Sequence, residues 1–363
     1  MIKILIIGPF PKPISGVALA NKVVKEIFDN SDDFAVKIIN TSLPFFEESI
    51  GEFSLKKMFF FLSLNLRAYK IFKADVVYIT PGQTFFGIVK YTFFILISNF
   101  LNKELIIHVH GNYLSVEYSL LKGLKKKLFH FLVSKFKKGI VLSPSLKKNL
   151  LPFIEKKNIF VLYNFAEEFL YKKKLNKDFT KLNITYLSNL MEEKGIVYLL
   201  DSLKQLENLN IDYSAIIAGN VDASIQNTII NKINQLENTK YIGPIHSEEK
   251  LELLEWSNIF ILPTFYKMEG QPISILEALA TQNTIITTNH SGIPDIITPE
   301  ENGFIVDVKS SRSITEKLIY LKNDPSILEI IGKKNKEYFL KNFTKSKFEL
   351  EIKKIINANS TIK

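Results

Sequence analysis

In YKMEGQPISILEALA, residues 266 to 280, Glu269 stands just before a helical run and Glu277 sits inside it. Pro272 suits the first turn of a helix, so Glu269, Gly270 and Gln271 form the loop that feeds the N-terminus. Free backbone N–H groups at such an end favour an anionic or hydroxyl-rich ligand. Glu277 shares a face with Ile273 and Ala280, while Ile275, Leu276, Ala278 and Leu279 cover the rest of the turn. A helix apolar all round is a buried helix, and its one carboxylate must have a partner. That partner is either an internal hydrogen bond or ion pair, or a ligand.

Two further stretches carry candidate chemistry. YLSNLMEEKGIVYLLDSL, residues 186 to 203, presents Lys194 and Gly195 shortly after an apolar run. HVHG, residues 108 to 111, presents two histidines, read as pointing to opposite faces, one buried and one facing a cleft, which is poor geometry for a shared metal. No metal site is expected. The chain has no cysteine, hence no disulfide framework and no thiolate nucleophile, as suits a reducing cytosol. It also has no Asp-x-Asp pair to bridge a diphosphate through a metal.

The elements that must position these residues follow from apolar patterning. A chain of 363 residues fits two domains. Short β-branched runs at 3–8, 35–40, 74–80, 104–111, 139–143 and 159–164 alternate with helical stretches. Because these runs are continuously apolar, they predict a parallel sheet covered on both faces. A polar, Lys-rich stretch at 166–183 reads as a linker between a domain at 1–165 and one at 184–340. In the latter the pattern restarts, with runs at 184–188, 213–219, 239–243, 258–264, 284–289 and 304–308 and helices near 310–322 and 345–357. Residues 341–363 are expected to form a C-terminal helix that crosses back to the first domain. The fold class is α/β: two Rossmann-like, doubly wound domains facing a central cleft, with ligands beyond the carboxyl ends of the strands.

Hydrophobic residues are 46% and charged residues 23%, which places the chain among soluble globular proteins. MIKILIIGPF reads as a buried first strand and not as a signal peptide. The stretch 84–100 approaches the length of a membrane span but is interrupted by Lys90, so a buried helix is expected there. Charge is uneven: residues 1–165 hold 23 Lys or Arg against 11 Asp or Glu, and the rest of the chain 24 against 26. Basic and aromatic residues mingle at 54–73 and 121–139, a pattern that suits an anionic membrane surface or an acidic ligand, or two amphipathic helices with solvated lysine faces. Nothing reads as a nucleic-acid motif, so no nucleic-acid partner is expected.

Glu269, seven intervening residues and Glu277, within EGQPISILEALA, resemble the signature of the family 4 retaining glycosyltransferases, which have the GT-B fold. Further likenesses, in that family's order, are AGN (218–220), YIGPI (241–245), SGIPDII (291–297) and ENGFIVD (301–307). The resemblance implies that Lys194 meets the diphosphate of a nucleotide-sugar and that Asn189 stands where many members have an arginine. Asparagine offers a neutral donor in place of a bidentate cation. It also implies that Glu277 holds the ribose and that Glu269, Gly270, Gln271, Pro272 and Ile273 address the sugar and its phosphates. Backbone at Tyr241, Ile242 and Gly243 would meet the base. From the first domain, Gly16, in GPFPKPISGVALANKVV (8–24), would approach the phosphate and His110 would touch the sugar.

The function so implied is retaining transfer of a hexosyl or N-acetylhexosaminyl group from a nucleoside diphosphate sugar to a saccharide or lipid-linked saccharide acceptor. The setting would be bacterial capsule, exopolysaccharide or lipopolysaccharide assembly, in the cytoplasm or peripherally on the inner face of the cell membrane. The nucleotide-sugar is a substrate, and no cofactor is expected. The alternatives are a catalytically weak sugar-nucleotide-binding or scaffold subunit, a nucleotide-sugar epimerase, and a glycoside hydrolase using the two glutamates as its acid and base.

Overall fold

A computed structural model of the chain describes residues 1–11, 15–42 and 55–358. The chain divides into two units, one comprising Met1–Tyr163 with Phe348–Lys363 and the other Asn164–Lys347.

The first unit is built on β1 (Ile2–Gly8), β2 (Phe34–Asn40), β3 (Val76–Ile79), β4 (Glu104–Val109), β5 (Lys138–Val141) and β6 (Ile159–Val161). These form one sheet in the order β2-β1-β3-β4-β5-β6, every pair parallel. The connecting helices are α1 (Gly16–Asp29), α2 (Leu55–Asn65) with a 3-10 helix at Leu66–Lys73, α3 (Phe85–Val89), α4 (Thr92–Phe100), α5 (Leu114–Leu120) and α6 (Gly123–Val133). The crossovers from β2 to β3, β3 to β4 and β4 to β5 all step the same way along the sheet. Right-handedness therefore puts their helices on one face, and α1 on the other. The core shows this layer directly: Ala68, Ile71, Phe94, Ile95, Phe129 and Leu132 pack with Leu5, Val77, Leu105 and Val141.

Residues 84–100 form two short helices, α3 and α4, broken at Lys90 and Tyr91, in place of the single buried helix expected. Lys90 lies 4.4 Å from the Phe61 ring centre, and burial pushes its ammonium down to about 8. Among the described residues no helix is long and apolar enough to cross a membrane.

The second unit repeats the plan. Its strands are β7 (Asn183–Leu187), β8 (Ser214–Ala218), β9 (Thr239–Tyr241), β10 (Ile259–Leu262), β11 (Thr284–Thr288) and β12 (Gly303–Val306), all parallel in the order β12-β11-β10-β7-β8-β9. The helices are α7 (Phe169–Lys172), α8 (Ile196–Asn208), α9 (Gln226–Asn234), α10 (Ser247–Trp256), α11 (Ile273–Ala280), α12 (Ser311–Asn323) and α13 (Ser326–Asn342). A last helix, α14 (Lys345–Asn357), begins here and from Phe348 onward groups with the first unit.

Residues 166–183, polar enough to read as a linker, lie within the second unit. Leu170 on α7 is fully buried, and the Lys177 ammonium donates to the Leu254 carbonyl at 2.8 Å and to that of Ser257. Burial drives the Lys177 pKa well below the ordinary lysine value.

In α11 every residue from Ile275 to Ala280 is buried. Ile275, Leu276 and Leu279 are completely so, and each contributes about 1.5–3 kcal/mol, which helps to offset the cost of taking Glu277 out of water.

Candidate functional site

The strand order of the second unit reverses across β7, which lies between β10 and β8. In a doubly wound sheet the loops that diverge at such a point leave a crevice at the carboxyl ends of the strands. Here those loops are residues 188–195 after β7 and 263–272 after β10, the two stretches singled out in the sequence.

Backbone ties lock the two loops together. The Glu193 carbonyl accepts from the Phe265 N–H at 2.7 Å and from the Thr264 hydroxyl at 3.2 Å. Gly195 adopts φ +81°, and a Cβ at this position would lie 2.3 Å from the Pro263 carbonyl oxygen. Only glycine allows both the left-handed turn and the close approach. Lys194, one residue earlier, is thereby delivered to the β10 loop.

There Lys194 Nζ sits 2.6 Å from Glu269 Oε2 and 5.1 Å from the centre of the Tyr266 ring. Both partners are largely buried, their side chains 15% and 9% exposed, so this is not a solvated surface pair. Thr264 donates to the same carboxylate oxygen at 3.2 Å. The loop after β11 braces Glu269 from behind: Ser291 Oγ donates to the Glu269 carbonyl at 2.6 Å, and the Gly292 N–H to the Gly270 carbonyl at 3.0 Å. SGIPDII thus supports the loop that carries Glu269.

Glu277 has its own partner, Lys250 on α10, at 2.6 Å. Lys250 also lies 3.7 Å from Glu167. Burial opposes the Lys250 charge, but the Glu277 and Glu167 carboxylates outweigh it and hold its pKa above the ordinary lysine value. Sequence reasoning required a partner for Glu277 but did not find Lys250, because SEEKLELLEW reads as a solvated, charged helix. Thr264 and Ser291 were also missed, since neither hydroxyl stands out until the strands are adjacent.

Gln271 is buried; its Oε1 accepts from the Asn164 N–H at 2.6 Å, its carbonyl accepts from Asn164 Nδ2 at 3.0 Å, and its Nε2 has no partner. Pro272 caps α11 instead of lying in its first turn, with Ile273 the first helical residue. Asn189 is exposed and takes part through its carbonyl, which accepts from the Tyr186 hydroxyl at 2.9 Å. At the expected base region, the Tyr241 hydroxyl donates to the Gly219 carbonyl at 2.8 Å, the Gly243 carbonyl accepts from the Gly219 N–H at 2.9 Å, and the Ile242 side chain is exposed.

In the first unit Gly16 opens α1 behind the cap Ser15, whose hydroxyl accepts from the Ala18 N–H at 3.2 Å. Residues 12–14, part of the stretch expected to approach the phosphate, lie outside the described residues. His108 and His110 correct the expectation of opposite faces: their ring centres are 3.9 Å apart. Residues two apart lie on one face of a strand, and β4 ends at Val109, so His110 folds back against its neighbour. Burial pushes the His110 imidazole down to about 3, and burial together with the neighbouring His110 lowers His108 well below the usual range. Both rings are therefore neutral. Tyr78, held protonated by burial, pairs with His108 Nδ1, while Nε2 of each histidine is buried without a partner.

Residues 167–338 match the family described as Glycosyl transferases group 1. The chain is 27% identical over 199 residues to the capsular polysaccharide biosynthesis glycosyltransferase CapM of Staphylococcus aureus, a match covering 55% of this chain and 51% of CapM. It is 24% identical over 185 residues to the putative colanic acid biosynthesis glycosyltransferase WcaL of Escherichia coli K12, covering 49% of this chain and 46% of WcaL. The matched region thus spans about half the length of each of these relatives. Among solved structures, HepE of Anabaena in complex with UDP and glucose superposes with a TM-score of 0.73 at 16% identity, over 99% of this chain and 100% of that one. The chain accordingly has the two-domain GT-B fold, and its stretch 167–338 matches the glycosyl transferases group 1 model.

Proposed function

We propose that the chain is a retaining glycosyltransferase, of the family 4 type its motifs resemble, that moves a sugar from a nucleoside diphosphate sugar to an acceptor hydroxyl in bacterial cell-surface polysaccharide assembly. The observation that carries this reading is the Lys194–Glu269 pair at the point where the strand order reverses. In a nucleotide-sugar the diphosphate is bonded to the anomeric carbon. A site for it therefore needs a cation and a hydroxyl-binding carboxylate side by side, and these two residues are in contact.

On binding, Lys194 would turn from Glu269 to the diphosphate and offset the charge that grows on it as the glycosidic bond breaks. Glu269, released from the lysine, would accept hydrogen bonds from the sugar hydroxyls. The acceptor oxygen then bonds to the anomeric carbon as the bond to the diphosphate breaks, and its proton passes to a phosphate oxygen of the departing nucleoside diphosphate. Glu277, fixed by Lys250, would hold the ribose hydroxyls. The neutral imidazole of His110 would suit an uncharged sugar hydroxyl, with which it could share hydrogen bonds. Charge on the leaving group is met by Lys194 and backbone N–H groups, so no metal is required in this reading.

A hexosyl or N-acetylhexosaminyl donor and a saccharide or lipid-linked saccharide acceptor fit the names of CapM and WcaL, both of which concern polysaccharides. Asn189, exposed and neutral, favours one second reading, a subunit that binds the nucleotide-sugar without turning it over. Incubation with a panel of nucleotide-sugars and saccharide acceptors separates the two: enzyme consumes one donor in an acceptor-dependent way, whereas a binding subunit returns it intact.

A further inference from the structure

The layer that covers one face of the first sheet, formed by the 3-10 helix Leu66–Lys73, α4 and α6, buries its inner side in the core. Its outer side is also apolar, and nothing among the described residues covers it. In the 3-10 helix, whose repeat is three residues, Leu66, Tyr69 and Phe72 line one edge and are all exposed, Leu66 at 80%. On α4, Phe93, Leu96 and Phe100 recur at helical spacing and are exposed, Phe100 at 87%. On α6, Leu124, Leu128 and Phe131 do the same, Leu124 at 83%, while Phe129, Leu132 and Val133 of the same helix point inward. Scattered exposed apolar residues need no explanation, but three neighbouring elements each presenting a stripe at its own period do.

The stripes are set among cations. Residues 55–137 contain thirteen Lys or Arg against three Asp or Glu. Leu124, Leu128 and Phe131 line a shallow groove of about 420 Å3 with Phe85, and Lys125 and Lys127 complete its wall. Lysine ammonium groups lie over the aromatic faces, with Lys135 Nζ 4.4 Å from the Phe131 ring centre and Lys125 Nζ 5.8 Å from that of Phe85. Apolar side chains rimmed by snorkelling lysines match the boundary between acyl chains and anionic headgroups.

We propose that this face docks on an anionic lipid bilayer, Leu66, Phe100, Leu124 and Phe131 entering the headgroup–acyl boundary and the surrounding lysines meeting lipid phosphates. Other occupants fit the surface less well. A second copy placed face to face would set lysines against lysines, and nucleic acid would satisfy the cations but leave the aliphatic stripes in water. This inference does not depend on the catalytic assignment above.

The test is co-sedimentation of the full chain with vesicles of phosphatidylcholine alone and of equal parts phosphatidylcholine and phosphatidylglycerol, at about 0.1 M salt. The protein is expected to sediment with the anionic vesicles and remain in the supernatant with the neutral ones. Lys125→Glu with Lys127→Glu should weaken binding about tenfold or more, as expected for lysines at a charged surface. Leu124→Ser with Phe131→Ser should weaken it also, and at high salt as well as low. All four side chains are exposed, so circular dichroism and the melting temperature should match wild type. Equal failure to bind both vesicles, or undiminished binding in the stripe variant, would overturn the proposal. A stable wild-type dimer in solution that the stripe variant converts to monomer would assign the face to a second copy instead.

Discussion

At the scale of single residues, Lys250 decides what Glu277 can do. It pairs with the carboxylate and fixes it inside a helix that would otherwise exclude it. Removing one partner of a buried pair costs about 3–5 kcal/mol, because the other charge is left without compensation. Lys250→Met should therefore lower stability by roughly this amount in urea denaturation and weaken nucleotide binding about tenfold. Adding Glu277→Gln should recover most of the stability but none of the binding, which separates packing from ligand recognition. The Lys250 pKa lies above its unfolded value, so its contribution is complete below about pH 10 and is lost as pH rises through the folded pKa. The histidines work at the other end of the scale. Both folded pKa values are depressed, so their contribution is complete above about pH 6.5 and is lost as pH falls toward the folded values. The urea midpoint should decline below this pH, and His110→Gln should flatten the decline.

At the scale of elements, the site depends on two loops meeting at the β7/β10 boundary, and Gly195 is the point at which they meet. Gly195→Ala must abandon a left-handed conformation or push Pro263 away, a cost of about 1–3 kcal/mol for the strain alone. It should also displace Lys194, so nucleotide binding is expected to fall together with the denaturation midpoint. The strands of the described residues were legible in the sequence, most of them because a strand buried on both faces has to be apolar throughout. Less legible were the features set by neighbours distant in sequence. The helix α13 follows α12 after a short break, and its Lys-rich pattern hides the buried Leu328, Ile331 and Phe339. The stretch 84–100 breaks in two at Lys90 and Tyr91, where the Tyr91 hydroxyl meets that of Thr41, fifty residues away.

At the scale of the whole molecule, two parallel sheets of different strand order share one chain, and the candidate donor-binding residues fall where the second order reverses. Glu277 could be picked out from the sequence because a charge in an apolar context is conspicuous, and Lys194 and Glu269 because their stretches resemble the motifs of a known family. Their partners could not, because Lys250, Thr264 and Ser291 look ordinary until the fold brings them close. The central claim is that Lys194 and Glu269 act together on the diphosphate and the sugar of a nucleotide-sugar. The direct measurement is acceptor-dependent turnover of the preferred donor by wild type, Lys194→Ala and Glu269→Gln, each checked for an unchanged circular dichroism spectrum. The account predicts a loss of about a hundredfold or more in both variants, the size expected when a charge-stabilising group is removed from a reacting centre. Turnover near wild type in both variants would contradict it.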